Sequence, residues 1–367
     1  MMEIKKPSSV NIFLIGGFLG SGKTTAIVNA CNSLIAQGKK VAVITNDQGN
    51  QQVDTNYLQR LNIPSSEVAN GCFCCNYNSL EENIAKFTTT LFPETIFAES
   101  VGSCTDLVAT IAKPFALFHP EFRVVISVFA DASLVYSIIK GTSSFIDEPV
   151  RYIYQKQLEE ADVLVMNKTD LLLPAELNEL MQVIGESYPS KTILYQNSFN
   201  VSDIENWLGT ISNYTAATSR QSLDLDYDIY GAGEAALAWL DKKIAIHSVR
   251  PVAIQIAIQL AASIREKIKA AGYTIGHLKF LVSDEHQVKK ISYTTSGRET
   301  DLSGEVSPAK HVSVLINARV QTTPALLQNL VEQAILETGM STESRILTES
   351  ENSFQPGYPK PLHRILV

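Results

Sequence analysis

From Val10 to about Ser212 the chain alternates short apolar runs with amphipathic stretches. That alternation predicts a mostly parallel sheet flanked by helices. The expected strands are Asn11–Ile15, Val41–Thr45, Thr95–Ala98, Arg123–Ala130, Val163–Met166 and Thr192–Gln196, with helical patterns between them. The stretch Asn213–Asp228 is rich in Asn, Thr, Ser and Asp and is expected to be a linker. Beyond it the texture changes to a strand-like Ala235–His247, a long helix Pro251–Ala271, strands at His277–Val282, Lys289–Thr294 and His311–Val320, and a helix Pro324–Leu336. This order predicts a smaller α+β domain with helices on one face of an antiparallel sheet. From Ser341 the chain carries Pro356, Gly357, Pro359 and Pro361 and is expected to be an extended surface tail. The expected divisions are therefore 1–212, a linker 213–228, 229–340 and the tail 341–367.

Length agrees with two domains, since 367 residues exceed the usual single core. A net charge of -8 with no basic run argues against a nucleic-acid partner. No apolar stretch of about 18 residues occurs, so no membrane-spanning helix is expected. The residues before the first strand leave no room for a secretory signal, and five cysteines, three of them clustered, suit a reducing cytoplasm.

The sharpest chemical signal follows the first apolar run. Gly17 to Thr24 read GFLGSGKT between a predicted strand and a predicted helix. Glycines Gly17, Gly20 and Gly22 permit the tight left-handed turns with which the backbone N–H groups of Gly20, Ser21, Gly22, Lys23, Thr24 and Thr25 can wrap a polyphosphate. The helix opening at Lys23 adds its positive dipole end. Lys23 can reach the outer phosphates, and the Thr24 hydroxyl can hold Mg²⁺. Asn167-Lys168-Thr169-Asp170 then follows the strand Val163–Met166, in reach of a bound base. The Asp170 carboxylate can accept from the N1 and N2 donors of guanine, while adenine would leave it unpaired. Lys168 can lie over the base, and Asn167 can tie its loop to the neighbours. Glu99-Ser100-Val101-Gly102 closes another strand, where the Glu99 carboxylate can face Mg²⁺ or the attacking water and Gly102 can offer its N–H to the γ-phosphate.

A second element demands chemistry of its own. Gly71-Cys72-Phe73-Cys74-Cys75 places three soft thiol ligands within four residues, able to converge on Zn²⁺, Cu⁺ or, less typically, Co²⁺ if the backbone turns at Gly71. A disulfide between the adjacent Cys74 and Cys75 would be strained. The fourth ligand place is open to water, to a carboxylate such as Asp47, to a distant His, or to a group from a client protein; a redox thiol cluster is the other alternative. Cys31 is expected in the core, and Cys104 is expected to be structural.

Taken together, Gly16–Thr25, Asn70–Cys75, Glu99–Gly102, Asp131 after its strand, and Glu160–Leu171 resemble the CobW-type P-loop GTPases, which are similar in turn to the nickel-inserting GTPases of hydrogenase and urease maturation. The resemblance covers about the first 200 residues. It implies GTP hydrolysis with Mg²⁺, a transition metal at the cysteines, and delivery to a client metalloprotein or a corrinoid pathway. Asp47 keeps the first carboxylate after the second strand, but Asn50 stands where the family has a second, and Asp54 follows later. The Asp47–Asp54 region is the expected first switch. Without a recognisable arginine finger, turnover is expected to be slow and stimulated by metal, homodimerisation or a client. The alternatives are a regulatory GTPase with a structural zinc and an assembly factor for a corrinoid-dependent enzyme.

Overall fold

The computed structural model describes residues 10–49, 53–143, 147–215, 220–296 and 307–367. Strands β1 (Val10–Gly16), β2 (Val41–Asn46), β3 (Ser65–Val68), β4 (Thr95–Glu99), β5 (Phe122–Asp131), β6 (Val163–Asn167) and β7 (Thr192–Gln196) form one sheet in the order β3-β2-β4-β1-β5-β6-β7. Every pairing is parallel. Strands β2, β4 and β6 are buried at every position, as strands covered on both faces must be, and this is why they read as unbroken apolar runs. Helices α1 (Lys23–Ala36), α2 (Val53–Arg60), α3 (Tyr77–Thr90), α4 (Lys113–Phe118), α5 (Ala132–Ile139), α6 (Glu148–Glu160), α7 (Pro174–Ser187) and α8 (Val201–Asn213) occur along this part of the chain. Since all seven strands run the same way, their carboxyl ends share one edge. That edge is where a doubly wound sheet collects its functional loops.

The six predicted strands are present, and β3 is an addition. Its sequence Ser65-Ser66-Glu67-Val68 is short and polar, so it lacks the apolar run by which its neighbours are recognised.

Helix α9 (Tyr227–Ala235) leads into a second, antiparallel sheet of β8 (Ala238–His247), β9 (Ile275–Ser283), β10 (Val288–Thr294), β11 (His311–Val320) and β12 (Arg345–Phe354), ordered β10-β9-β11-β8-β12. Helices α10 (Ala253–Ala270) and α11 (Pro324–Thr342) bury Leu260, Ile264, Leu327 and Val331 in one core with Leu240, Phe280 and Ile316 of the sheet. Residues of β12, which the sequence assigns to the tail, pair with β8 as an edge strand. Its run RILTESENSF is half-exposed throughout and has no clean apolar alternation to announce it.

By internal packing the chain divides into two units, Met1–Gln48 with Leu61–Tyr230 and Pro359–Val367, and Gly49–Arg60 with Gly231–Tyr358. Helix α2 thus belongs to the second unit. There the Val53 N–H donates to Asn317 Oδ1 (3.0 Å), and Asp54 pairs with Lys279 (2.6 Å) and Lys290 (2.7 Å). Burial alone would raise the Asp54 pKa, but the two ammonium groups outweigh it and hold the carboxyl well below its usual range. Asn50, also in the expected first switch, lies outside the described residues.

Candidate nucleotide and thiol site

Gly17 to Thr24 form the turn between β1 and α1. Gly17, Gly20 and Gly22 all have positive φ. Gly22, at φ +95°, caps α1, and a Cβ there would lie 2.3 Å from Asn167 Nδ2, so only glycine fits. The Lys23 ammonium donates to the carbonyls of Gly17 (2.6 Å) and Phe18 (3.2 Å), which holds it over the turn. Thr24 Oγ1 donates to Glu99 Oε1 (2.9 Å) in a buried contact. Ser21 is buried, and its hydroxyl has no hydrogen-bond partner among the described residues. A polar orphan beside a glycine-rich helix start fits an anionic ligand that supplies acceptors. Thr25 is half-buried on the first turn of α1.

Asn167 ends β6 and connects three segments. Its Nδ2 donates to the Ser21 carbonyl (2.7 Å), and its Oδ1 accepts from the N–H (3.1 Å) and hydroxyl (2.8 Å) of Ser198 in the loop after β7. Lys168, at φ +62°, pairs with Asp131 at 2.7 Å. Asp131 is held in turn as the N-cap of α5, accepting from the Ser133 and Leu134 N–H groups. Asp170 lies in the following turn, Thr169–Leu171, exposed to solvent.

Beyond Glu99 the chain passes Gly102, which sits against Leu19 of the glycine turn, and runs to Leu107. Helix α6 clasps this segment. Gln157 Nε2 donates to the carbonyls of Gly102 (3.0 Å) and Cys104 (2.8 Å), while Glu160 accepts from the Thr105 hydroxyl (3.1 Å) and the Leu107 N–H (2.6 Å). Burial, with the nearby Asp106 carboxylate, pushes the Glu160 pKa up to about 8. Asp106 bonds Tyr227 and Arg364, both at 2.8 Å.

The thiol loop lies between β3 and α3. Asn70 and Gly71 both have positive φ, and a Cβ on Gly71 would meet Asn76 Nδ2 at 2.6 Å. The turn expected at Gly71 brings the sulfurs together. Cys72 Sγ lies 2.8 Å from Cys74 Sγ and 3.2 Å from Cys75 Sγ, and Cys74 and Cys75 are 3.8 Å apart. Four sulfurs about 2.3 Å from one zinc stand about 3.8 Å apart, a separation that Cys74 and Cys75 have and from which Cys72 departs by standing closer to both. Hydrogen bonds from Cys104, Cys74 and Cys75 hold the Cys72 thiol well below its usual range. The hydrogen bonds with Cys72, together with burial, hold Cys74 well above it and push Cys75 up to about 11.

Asn46, at the end of β2, pins this loop. Its Nδ2 donates to the carbonyls of Val68 (2.9 Å) and Gly71 (2.7 Å), and its Oδ1 accepts from the Phe73 N–H (2.8 Å). Asp47 follows immediately, half-buried, its N–H on the Val68 carbonyl (3.2 Å). The ligand atoms of Cys72, Cys74 and Cys75 lie within 4.8 Å of one another, and Asp47 does not join that group. Residues Pro359–Val367 lie over the loop: the Leu362 N–H donates to the Cys74 carbonyl (2.9 Å) and the Lys360 N–H to Cys75 Sγ (3.4 Å).

The Gly17–Thr24 turn, Glu99, Asn167–Asp170 and the cysteine loop thus lie at or just after the carboxyl ends of strands in one sheet, while Asp54 belongs to the second unit. Sequence reasoning gave no role of their own to Asn46, Gln157, Glu160, Ser198 or residues 359–367, and Cys104, expected to be structural, has its thiol hydrogen-bonded to Cys72. Cys31 is buried in α1 as expected, its thiol pushed up to about 12 by burial. No helix among the described residues is long and apolar enough to cross a membrane.

Compared with known proteins, the CobW/HypB/UreG nucleotide-binding domain matches residues 11–195. A zinc chaperone CobW of Sinorhizobium sp is 29% identical over 189 residues, 43% of this chain and 51% of that one. A zinc chaperone CobW of Pseudomonas aeruginosa is 24% identical over 231 residues, 54% of this chain and 59% of that one. The zinc chaperone YjiA of Escherichia coli is 29% identical over 192 residues, 51% and 58% of the two chains. The chain thus spans about half the length of the curated relatives it matches. Among solved structures, nickel-bound HypB of Helicobacter pylori is 15% identical, with a TM-score of 0.42 covering 58% of this chain and 92% of that one. A Zn(II)-bound triple mutant of YjiA GTPase is 13% identical, with a TM-score of 0.39 covering 89% and 99%.

Proposed function

Because this chain belongs to the CobW/HypB/UreG nucleotide-binding family, we propose that it is a GTP-hydrolysing metallochaperone that carries zinc on Cys72, Cys74 and Cys75 and hands it to a client metalloprotein or a corrinoid enzyme. Gly17, Gly20, Ser21, Gly22, Lys23, Thr24 and Thr25 hold the phosphates of GTP. Thr24 and Glu99, already 2.9 Å apart, hold Mg²⁺, whose charge offsets that developing on the phosphates. Asn167, Lys168 and Asp170 select guanine. Asp47 and Gly102 flank the γ-phosphate.

The observation that carries the reading is the Asn46 clasp. One side chain ties the thiol loop to the end of β2, and Asp47, the start of the expected first switch, is its chain neighbour. A shift of that switch on hydrolysis is thereby passed to the metal ligands. The zinc chaperones among the relatives support zinc as the cargo.

The test is zinc affinity and GTP hydrolysis in the wild type and in Cys74→Ser, each with GDP and with a non-hydrolysable GTP analogue. Wild-type affinity is expected to differ between the nucleotides and to collapse in the variant; equal affinity in both proteins would sink the thiol site. A second reading, a regulatory GTPase with a resident zinc, draws on the burial of Cys72 and Cys74 at 3% and 4% exposure beneath the terminal segment. Zinc exchange equally slow in both nucleotide states would favour it.

A further inference from the structure

We propose that Cys104 is a fourth thiol ligand of the metal site, supplied by the same segment that carries Glu99. The proposal rests on the reading of Cys72, Cys74 and Cys75 as metal ligands. The Cys104 thiol is hydrogen-bonded to Cys72, which places its sulfur against the cluster. All three deep thiols are shut away from solvent, Cys104 at 2% exposure beside Cys72 and Cys74. The backbone of Cys104 is fixed from both sides, its N–H on the Val101 carbonyl (3.0 Å) and its carbonyl under Gln157 Nε2 (2.8 Å). The next residue is tethered as well, the Thr105 N–H to Tyr230 (3.3 Å) and its hydroxyl to Glu160 (3.1 Å). A cysteine held this firmly, with its sulfur on another sulfur, is positioned for a shared ion.

The chemistry asks for such a residue. Zinc held by protein alone takes four ligands, and the loop offers three. Cys72, Cys74 and Cys75 form the tight group, with Cys104 at its rim on Cys72. Closing the tetrahedron then falls to the side chains of the cysteine loop, since the backbone of Cys104 is held by Val101 and Gln157. Glu99 is bonded to Thr24 of the glycine turn. Cys104 lies five residues after Glu99, so the metal site and the glycine turn share one segment as support. Four thiolates on Zn²⁺ leave two excess negative charges, part of which the Lys360 N–H on Cys75 Sγ helps to offset.

X-ray absorption at the zinc edge on the full-length protein with equimolar zinc counts the sulfurs directly. Four sulfurs are expected; three sulfurs with one lighter atom in every nucleotide state would overturn the proposal. Cys104→Ser is expected to lose one sulfur and to weaken zinc binding, read against a competing chelator, by about tenfold to a hundredfold. If Cys74→Ser also leaves zinc affinity untouched, the three-thiol site itself has failed. If Cys74→Ser loses zinc while Cys104→Ser keeps both its affinity and its sulfur count, the fourth ligand alone has failed. Should Cys104→Ser not fold, the wild-type sulfur count decides.

Discussion

Replacing Asn46 with alanine tests the link between the sheet and the thiol loop. The substitution deletes three hydrogen bonds, to the carbonyls of Val68 (2.9 Å) and Gly71 (2.7 Å) and from the Phe73 N–H (2.8 Å). At about 1 kcal/mol net each, their loss amounts to about 3 kcal/mol, and groups left buried without partners add to it. That free energy has two places to appear. If the metal-free loop keeps its shape, it appears as lower unfolding stability. If the loop comes loose and is gathered again by zinc, it appears as weaker zinc binding, up to about a hundredfold for 3 kcal/mol. The two losses are expected to sum to about 3 kcal/mol, measured by urea unfolding of the metal-free protein and by chelator competition. Asn46→Asp keeps the acceptor for Phe73 but turns a carboxylate toward two carbonyls, and is expected to be at least as damaging. A summed loss below about 1 kcal/mol in Asn46→Ala would refute the reasoning, because these bonds would then not hold the loop.

Gly22→Ala forces a side chain to φ +95° and to within 2.3 Å of Asn167 Nδ2; titration with a fluorescent GTP analogue is expected to show at least a roughly tenfold loss of affinity. Asp170→Asn exchanges an acceptor for a donor, so GTP binding is expected to fall about a hundredfold while xanthosine triphosphate, with a carbonyl in place of the 2-amino group, gains; retained guanine preference would remove Asp170 from the base site. Glu160 gives a pH signature. Its folded pKa of about 8 lies above the unfolded value of about 4.3, so its contribution is fully present below the latter and is lost as pH rises through about 8. Glu160→Gln mimics the protonated carboxyl and is expected to flatten the decline in unfolding free energy between about pH 5 and 8; the same slope in both proteins would assign the decline elsewhere.

What was legible in the sequence is what a local stretch of chain decides for itself. The glycine turn, the Asn167–Asp170 loop and the cysteine loop are each a few consecutive residues whose chemistry follows from their own backbone, and they were found. Asn46 stands just before the expected switch and was given no role, because its partners Val68, Gly71 and Phe73 become neighbours only when β2 pairs with β3, a strand too polar to be seen in advance. Gln157 and Glu160 look like any polar residues near the end of a helix until α6 lies along the segment after Glu99. Cys104 was judged alone, as a single thiol after a turn, and its hydrogen-bond partner is a cysteine 32 positions earlier. Ser198 follows β7 much as Asn167 ends β6, a positional hint available to a reader counting strands.

The contact of Lys360 with Cys75 joins residues 285 positions apart. At about 5–20 residues per second, a ribosome makes the rest of the cluster roughly 15–60 s before it makes the segment that covers it. Throughout that interval the thiols are present and their lid is not yet synthesised. A nascent chain therefore presents Cys72, Cys74 and Cys75 before the residues that hydrogen-bond to their loop exist. Order of synthesis thus sets residues 359–367, which bond the cysteine loop, some 285 positions after the thiols they touch.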